Sequence, residues 1–233
     1  MRETRPSGRL SLFFLLIITL VFLTGPSLAL AEELLSQVMG LEGSVSLYNR
    51  EVSAKPLAQG AFLREGDVLS VDKASYADLT FQQGWKNIVE TGWTMTARLR
   101  EDSQVKIQSV YPTGLLMGQG DIISWLEDLP QDSTFEVQTP TAVVGAEGGV
   151  FRVSYRKGVT EVWNFSDQDV YVFMLDENRE IGPSVILKAF EKTEVLHLEH
   201  PKTPQRMSDQ EIEESEELRR GMRKLERKIG SPV

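Results

Sequence analysis

Two segments place a serine three residues before a lysine, which is the spacing of the nucleophile in penicillin-binding enzymes. They run from Ser70 to Lys73 and from Ser103 to Lys106. That chemistry needs the serine at a helix start, together with Ser-Asp-Asn and Lys-Thr-Gly elements. Neither companion element occurs in the sequence, and both serines lie in strand-type sequence. We therefore predict no catalytic residue, and we expect a protein that is not an enzyme.

The two histidines have a spacing that could serve a metal ion. His197 and His200 are three residues apart, and on a helix they would share a face. The segment instead has strand character and runs into Pro201, so residues i and i+3 point to opposite faces. Zinc sites also need three or four convergent ligands, and the chain has no cysteine. We predict no metal and no cofactor, and we interpret the histidines as exposed.

Three tryptophans are candidates for ligand binding. Trp85, Trp93 and Trp125 have amide or carboxylate side chains close by in the sequence. An aromatic ring beside such groups on a β surface is the combination that a sugar or peptide site uses, and tryptophan is also common in protein interfaces. The alternative is ordinary packing between strands. Trp163 lies in a dense apolar run, which indicates a core position.

Composition limits the classes of function. The chain has 233 residues, of which 41% are hydrophobic and 25% charged, as in an ordinary globular protein. It has 34 acidic and 25 basic residues and a net charge of −9. A nucleic-acid surface needs concentrated positive charge, so nucleic acid is excluded as the expected partner. Without cysteine, disulfides and thiolate chemistry are excluded as well.

The middle of the chain has the pattern of short β-strands. Apolar and polar residues alternate with a period of two, which puts one set of side chains in a core and the other in water. The apolar members include Val45, Leu47, Ala77, Leu79, Phe81, Val105, Ile107, Phe135, Val137, Phe151 and Val153. Glycine-rich turns separate the runs. This pattern predicts an all-β fold, either a short-stranded antiparallel sandwich or a coiled sheet, followed by a C-terminal α-helix.

The C-terminal helix is expected to begin at a capping box. Ser208 and Glu211 have the Ser-x-x-Glu spacing, acidic residues fill the first half, and basic residues fill the second, which suits the helix dipole. One narrow apolar seam follows the helix: Leu218, Met222, Leu225 and Ile229. The seam could dock on the protein's own β domain, meet a partner helix or a second copy, or remain a frayed helix in solvent.

The first 31 residues have the layout of a secretory signal. Arg2, Arg5 and Arg9 precede an apolar run over 10–23, and Ala29 and Ala31 are the small residues that a signal peptidase needs. A membrane anchor is the alternative, but a span takes roughly 20 apolar residues. We expect cleavage after Ala31, no stable membrane span afterwards, and a protein that is periplasmic or secreted.

The order of the β segments resembles the FecR domain of bacterial envelope proteins. Two stretches carry the resemblance best: Leu-x-x-Gly-Asp-x-Leu over 63–69 and Val-x-Thr-Pro-x-Ala over 137–142. The similar region extends over about 38–198. The resemblance implies the periplasmic domain and its β architecture, and it does not carry over transcriptional signalling. Signalling members carry a cytoplasmic anti-sigma region before a membrane helix. Only nine residues precede the apolar run here, so we expect the periplasmic domain without that region.

The residues that match the family are expected to shape the backbone rather than to contact a ligand. Glycine accepts positive φ, aspartate bonds nearby backbone in turns, and proline suits strand ends. The positions are Gly66, Asp67, Thr139, Pro140, Gly145, Gly148 and Gly149. We expect the three last glycines to allow a sharp chain reversal or a close backbone approach.

These patterns predict four regions: a signal peptide over 1–31, a FecR-like β domain over 32–200, a stiff exposed linker over 201–207, and a charged amphipathic helix over 208–230. The interpretation that fits them is an exported, non-enzymatic domain that binds an envelope protein or a glycan in the periplasm. The alternatives are an assembly protein of the envelope that acts through its C-terminal helix, and a component of cell-surface signalling. The oligomeric state is left open.

Overall fold

The computed structural model of the chain describes residues 35–49, 53–82, 94–110, 112–127, 129 and 133–229. The predicted signal peptide, Trp85 and Trp93 lie outside these residues. The described elements follow one another in the order β1 (Leu35–Glu42), β2 (Val45–Tyr48), β3 (Lys55–Pro56), β4 (Phe62–Leu63), β5 (Val68–Val71), β6 (Tyr76–Gln82), β7 (Thr94–Leu99), β8 (Ser103–Ser109), β9 (Thr113–Glu127), β10 (Phe135–Gln138), β11 (Ala142–Ala146), β12 (Gly149–Arg156), β13 (Val159–Asn164), β14 (Val170–Leu175), β15 (Ile181–Leu187), β16 (Glu191–Leu196), β17 (Gln205–Arg206) and α1 (Asp209–Ile229).

The strands form two layers that share one long strand. Sheet A has the order β4–β1–β6–β7–β9–β12–β13–β16–β17. Sheet B has the order β3–β2–β5–β8–β9–β10–β11–β14–β15. All of these pairs are antiparallel except β9–β10, which is parallel. Strands from the first half of the chain lie on one side of β9 in both sheets, and strands from the second half lie on the other. The predicted all-β fold with one C-terminal helix is confirmed.

β9 passes from one sheet to the other near Gly120. Its first part pairs with β8 and β10, and its last part pairs with β7 and β12. Gly120 has a φ of +118°, and a Cβ at this position would lie 2.2 Å from the Ser103 Oγ atom. Only glycine fits such a close approach in this backbone conformation. The fold therefore depends on one glycine at the point where the two layers join.

One apolar core fills the space between the layers. The alternating residues predicted to face it are buried, among them Leu79, Val105 and Val153. The Phe135 ring of sheet B lies between two rings of sheet A, with centroids 5.9 Å from Phe81 and 6.1 Å from Phe151, in edge-to-face geometry. This packing explains why the strands alternate, since each apolar side chain removed from water stabilises the fold.

The segment over 201–207 is exposed at Lys202, Thr203, Gln205 and Arg206, but its two ends are not. Pro201 and Met207 are buried. The Lys202 N–H donates to the Glu194 carbonyl at 2.9 Å, and the Thr193 hydroxyl donates to the Lys202 carbonyl at 2.6 Å. These bonds hold the segment against β16, so it carries the helix to a defined place on sheet A.

The helix begins where its capping box predicts. The Ser208 N–H and hydroxyl both donate to the Glu211 carboxylate, each at 2.8 Å. Among the described residues, no helix is both long enough and apolar enough to cross a lipid bilayer.

Candidate functional site

The outer face of sheet A is crossed by ion pairs, the first of which is nearly closed to solvent. The Arg98 guanidinium donates to both oxygens of Asp78, from Nε at 2.7 Å and from Nη2 at 2.9 Å. The Asp78 side chain is 1% exposed, and the Tyr76 ring lies 4.5 Å from the guanidinium carbon. Although burial of Arg98 opposes it, the hydrogen bond to Asp78 raises the pKa of Arg98. Both charges are neutralised within the protein.

A second pair repeats this arrangement across β9. The Arg152 Nε atom lies 2.9 Å from one Asp121 oxygen, and its Nη2 atom contacts the other. Arg100 contacts the same carboxylate at 3.4 Å, and the Trp163 ring stacks on Arg152 at 4.5 Å. Trp163 is half-buried rather than fully in the core, because its ring covers the arginine on the outer face.

The first half of α1 covers part of this face. Ile212 and Leu218 pack against an apolar cluster formed by Ile123, Trp125, Val150, Phe165 and Met207. Lys192 of β16 contacts the Glu211 carboxylate at 2.5 Å. Partial burial opposes it, but hydrogen bonds from Lys192 and Ser208 lower the pKa of Glu211 to about 2. We call this surface, with its ion pairs and its helix, the helix-covered face.

The helix-covered face holds two of the residue sets predicted from the sequence. Trp125 is 2% exposed beneath the helix, which corresponds to the packing alternative rather than to a ring open to a ligand. Leu218 packs on the protein's own sheet. The helix also includes Met222, Leu225 and Ile229, whose side chains the structure does not describe.

The Ser-x-x-Lys serines and the histidines have ordinary structural roles. Ser103 is 1% exposed, and its Oγ accepts the Asp121 N–H at 3.0 Å. It lines a polar pocket with Ser70 and Lys73, but its bonded hydroxyl is not presented to solvent. His197 and His200 are exposed. In the part of the chain that the structure describes, no group of three or more His, Cys, Asp or Glu residues is placed to hold a metal ion.

The residues that were predicted to shape the backbone lie in turns and in strands. Gly66 has a φ of +93°, and the Asp67 carboxylate accepts the Arg64 N–H at 2.9 Å. Thr139 bonds the Thr160 hydroxyl at 2.6 Å in a buried position. Pro140 follows β10, and Gly149 begins β12 with a φ of +86°.

Gly145 does not make the reversal expected of it. It lies inside β11, paired with Glu136 on one side and Tyr171 on the other. Two ladders fix it in an extended conformation, so the chain reversal falls at 148–149 instead.

A groove of about 680 Å³ lies beside the Gly66 turn, and we call it the edge groove. Edge strands of the two sheets contribute to it, β3 from sheet B and β4 from sheet A, together with β8. Its lining residues are Leu47, Asn49, Lys55, Phe62, Arg64, Glu65, Gly66, Asp67, Lys106 and Gln108. The Phe62 ring is 50% exposed. The groove therefore combines an apolar ring, two amides and several charges.

Two cations of the edge groove have no carboxylate against them among the residues that the structure describes. Lys55 and Lys106 are exposed, and neither makes an ion pair with any described residue. Of the two acids in the lining, Asp67 is buried in the turn, and Glu65 is exposed. By contrast, Lys188, Lys192 and Lys202 contact carboxylates at 2.6, 2.5 and 2.5 Å.

Lys73 and Lys157 also lack such a contact among the described residues, but Lys73 lines the separate pocket beside Ser70 and Lys157 lies in a turn. What distinguishes Lys55 and Lys106 is that they line one groove. Sequence reasoning named neither lysine as a candidate binding residue. Lys106 was considered only as part of a Ser-x-x-Lys pattern. No sequence pattern predicts which lysines will lie next to a carboxylate in the folded protein.

A smaller groove of about 230 Å³ adjoins the edge groove through a shared side chain, Gln108. It runs over sheet B, where Glu136, Gln138 and Arg179 line it beside Ile181, which is 64% exposed. A ligand longer than the edge groove could follow this surface.

Comparison with known proteins adds a likeness of fold. No family model and no curated protein matches the chain. Two crystal structures of a candidate anti-sigma factor from Parabacteroides distasonis ATCC 8503, at 2.50 and 1.65 Å resolution, are similar to it, with TM-scores of 0.47 and 0.46 and identities of 16% and 15%. The match covers 63% of this chain and 62% of that one. We draw no functional argument from it, and the FecR resemblance stays a prediction.

Proposed function

We propose that the chain is an exported, non-enzymatic, FecR-like domain that binds a component of the bacterial envelope in the periplasm, and that it does so through the edge groove. One observation carries this proposal. In a chain with a net charge of −9, Lys55 and Lys106 line a groove without an ion pair among the described residues, whereas Arg98, Arg100, Arg152 and Lys192 on the helix-covered face all contact carboxylates.

The lining chemistry favours a glycan over a folded protein. Sugar sites join an aromatic surface to amides and charged groups that bond hydroxyls. The edge groove offers Phe62, Asn49 and Gln108 for these roles. A protein interface is usually built around a larger buried apolar centre. An envelope protein remains the second candidate because exposed apolar side chains, Tyr48 and Ile186, stand elsewhere on sheet B.

The C-terminal helix gives less support to a role in assembly. Its first half is docked on its own sheet through Ile212 and Leu218, which favours intramolecular packing over a partner helix. A role in signalling is supported by the FecR resemblance alone.

Export is tested with a reporter. Residues 1–33 fused to a reporter should deliver it outside the cytoplasm, and the mature protein should begin at Glu32 in mass spectrometry. An intact Met1 on membrane-bound protein would contradict the proposal.

Binding is tested by filling the groove. We expect the mature chain to retain glycan from isolated envelopes, and Gln108→Trp to abolish retention because the indole occupies the groove. Gln104→Trp is the matched control, since Gln104 is exposed on the same strand outside the groove lining. Chemical cross-linking in envelopes reports a protein partner in parallel. If neither glycan nor protein is retained, or if Gln108→Trp changes nothing, the proposed function is wrong.

A further inference from the structure

We propose that the edge groove recognises a glycan that carries carboxylate groups, such as a chain containing uronic acids. The inference rests on the proposed function and names the chemical class of its ligand. Lys55 and Lys106 supply the selectivity, and the neutral part of the lining supplies contacts to the sugar ring.

The two lysines lie on strands that are separated by β2 and β5, so each would meet its own carboxylate. Lys55 belongs to β3 and pairs with Leu47 of β2, and Lys106 belongs to β8. Neither makes an ion pair among the described residues, so an incoming carboxylate would not have to displace an internal one. A charge-assisted hydrogen bond to a carboxylate is about twice as strong as a neutral one, which makes the anionic ligand the preferred occupant.

The groove also has what a sugar ring needs. The Phe62 ring is 50% exposed, and sugar C–H groups pack on such a surface, while Asn49 and Gln108 can bond hydroxyls.

An acidic peptide fits less well. Extended peptides commonly bind by adding a strand to a sheet edge, where backbone hydrogen bonds provide the affinity. The sheet edges beside this groove are β3 and β4, each of which has only two residues, and Pro56 of β3 has no N–H to donate. A glycan does not need that ladder.

The overall charge limits how acidic the ligand can be. The chain has a net charge of −9, so a densely charged polyanion would be repelled by the rest of the molecule. Carboxylates spaced along a chain of neutral hydroxyl-bearing rings avoid this repulsion while still meeting Lys55 and Lys106.

The test measures affinity of the mature protein for three probes by calorimetry: an oligogalacturonate, a neutral glucose oligosaccharide of equal length, and oligoglutamate. We expect binding of the oligogalacturonate and much weaker binding of the other two. Lys55→Gln and Lys106→Gln should each weaken oligogalacturonate binding about tenfold, with no change in melting temperature. Lys188→Gln is the control, because Lys188 is exposed and already paired with Asp169.

Each other result overturns the inference. Equal binding of the neutral oligosaccharide, unaffected by either lysine variant, shows that carboxylates are not recognised. Equal binding of oligoglutamate shows that the groove recognises carboxylate charge and does not require a sugar ring. No binding of any probe also overturns this ligand class. In all three cases the proposed function is tested separately. It still holds if the wild type retains envelope material and Gln108→Trp does not.

Discussion

The helix-covered face and the edge groove are both polar surfaces of one small β protein, but their charges are arranged differently. On the helix-covered face, Arg98 and Arg152 are bound to the carboxylates of Asp78 and Asp121, which are 1% and 4% exposed, and α1 lies over part of the sheet. In the edge groove, Lys55 and Lys106 have no such partners among the described residues. The comparison indicates that internally neutralised charges hold the structure, whereas unneutralised charges in a groove are available to a ligand.

The largest effect is expected from breaking the ion pair of the helix-covered face that is most buried. Asp78→Ala leaves the Arg98 guanidinium without its two hydrogen-bond acceptors. Removing one partner of a buried pair costs about 3 kcal/mol, or a melting temperature lower by about 6–12 °C in a protein of this size. Asp169→Ala, which breaks an exposed pair with Lys188, should cost far less, because water screens an exposed ion pair. Similar losses in the two variants would show that Asp78 has no special structural role.

Release of the helix should have the next largest effect. Leu218→Asp places a carboxylate in the apolar contact with sheet A, which we expect to cost about 1–2 kcal/mol. Amide hydrogen exchange over α1 should accelerate, while the core strands remain protected. Gln210→Asp adds the same charge at an exposed helix position; it removes only the exposed bond to Glu214 at 3.1 Å, so it should change exchange much less than Leu218→Asp. If α1 exchanges equally in both variants, the packing of Leu218 does not hold the helix.

A smaller effect should depend on pH. The pKa of Glu211 is lowered from 4.5 to about 2 in the folded protein, so its contribution is complete above about pH 4.5 and is lost as the pH falls towards 2. The contact is partly exposed, so we expect about 1 kcal/mol. The difference in unfolding free energy between the wild type and Glu211→Gln should open between about pH 2 and about pH 5. A difference that is constant with pH would contradict this role.

The edge groove should show the smallest effect on stability. Lys55→Gln and Lys106→Gln change exposed side chains that make no ion pair with described residues, so each should shift the unfolding free energy by less than about 0.5 kcal/mol. Urea unfolding of the two variants and of Asp78→Ala, measured side by side, checks the contrast. A loss above about 2 kcal/mol in either lysine variant would make the groove a structural feature.

Local pattern was enough to predict the strands and the helix start. Alternation identified Val105 and Phe135 as core residues because a half-buried strand has a period of two, and both are buried. The Ser208–Glu211 capping box forms as its spacing predicts, because its partners are close in sequence.

Features that join distant parts of the chain could not be predicted in this way. The passage of β9 between the sheets and the parallel β9–β10 pair depend on tertiary contacts. The ion pairs also depend on tertiary contacts. Asp121 and Arg152 lie on two different strands, and the sequence of neither strand predicts the pair. The surroundings of the candidate residues depend on such contacts too, since Trp125 is covered by a helix far away in sequence, while Lys55 and Lys106 line one groove only in the folded protein.

The central claim is that the edge groove, and not the helix-covered face, contacts the ligand. Hydrogen exchange of the mature chain with and without glycan isolated from envelopes tests it most directly. We predict slower exchange in β2, β3, the turn over 64–67 and β8, with no change in α1, β12 or β13. Protection of α1 and β13 without protection of β8 would contradict the account and place the binding surface on the helix-covered face.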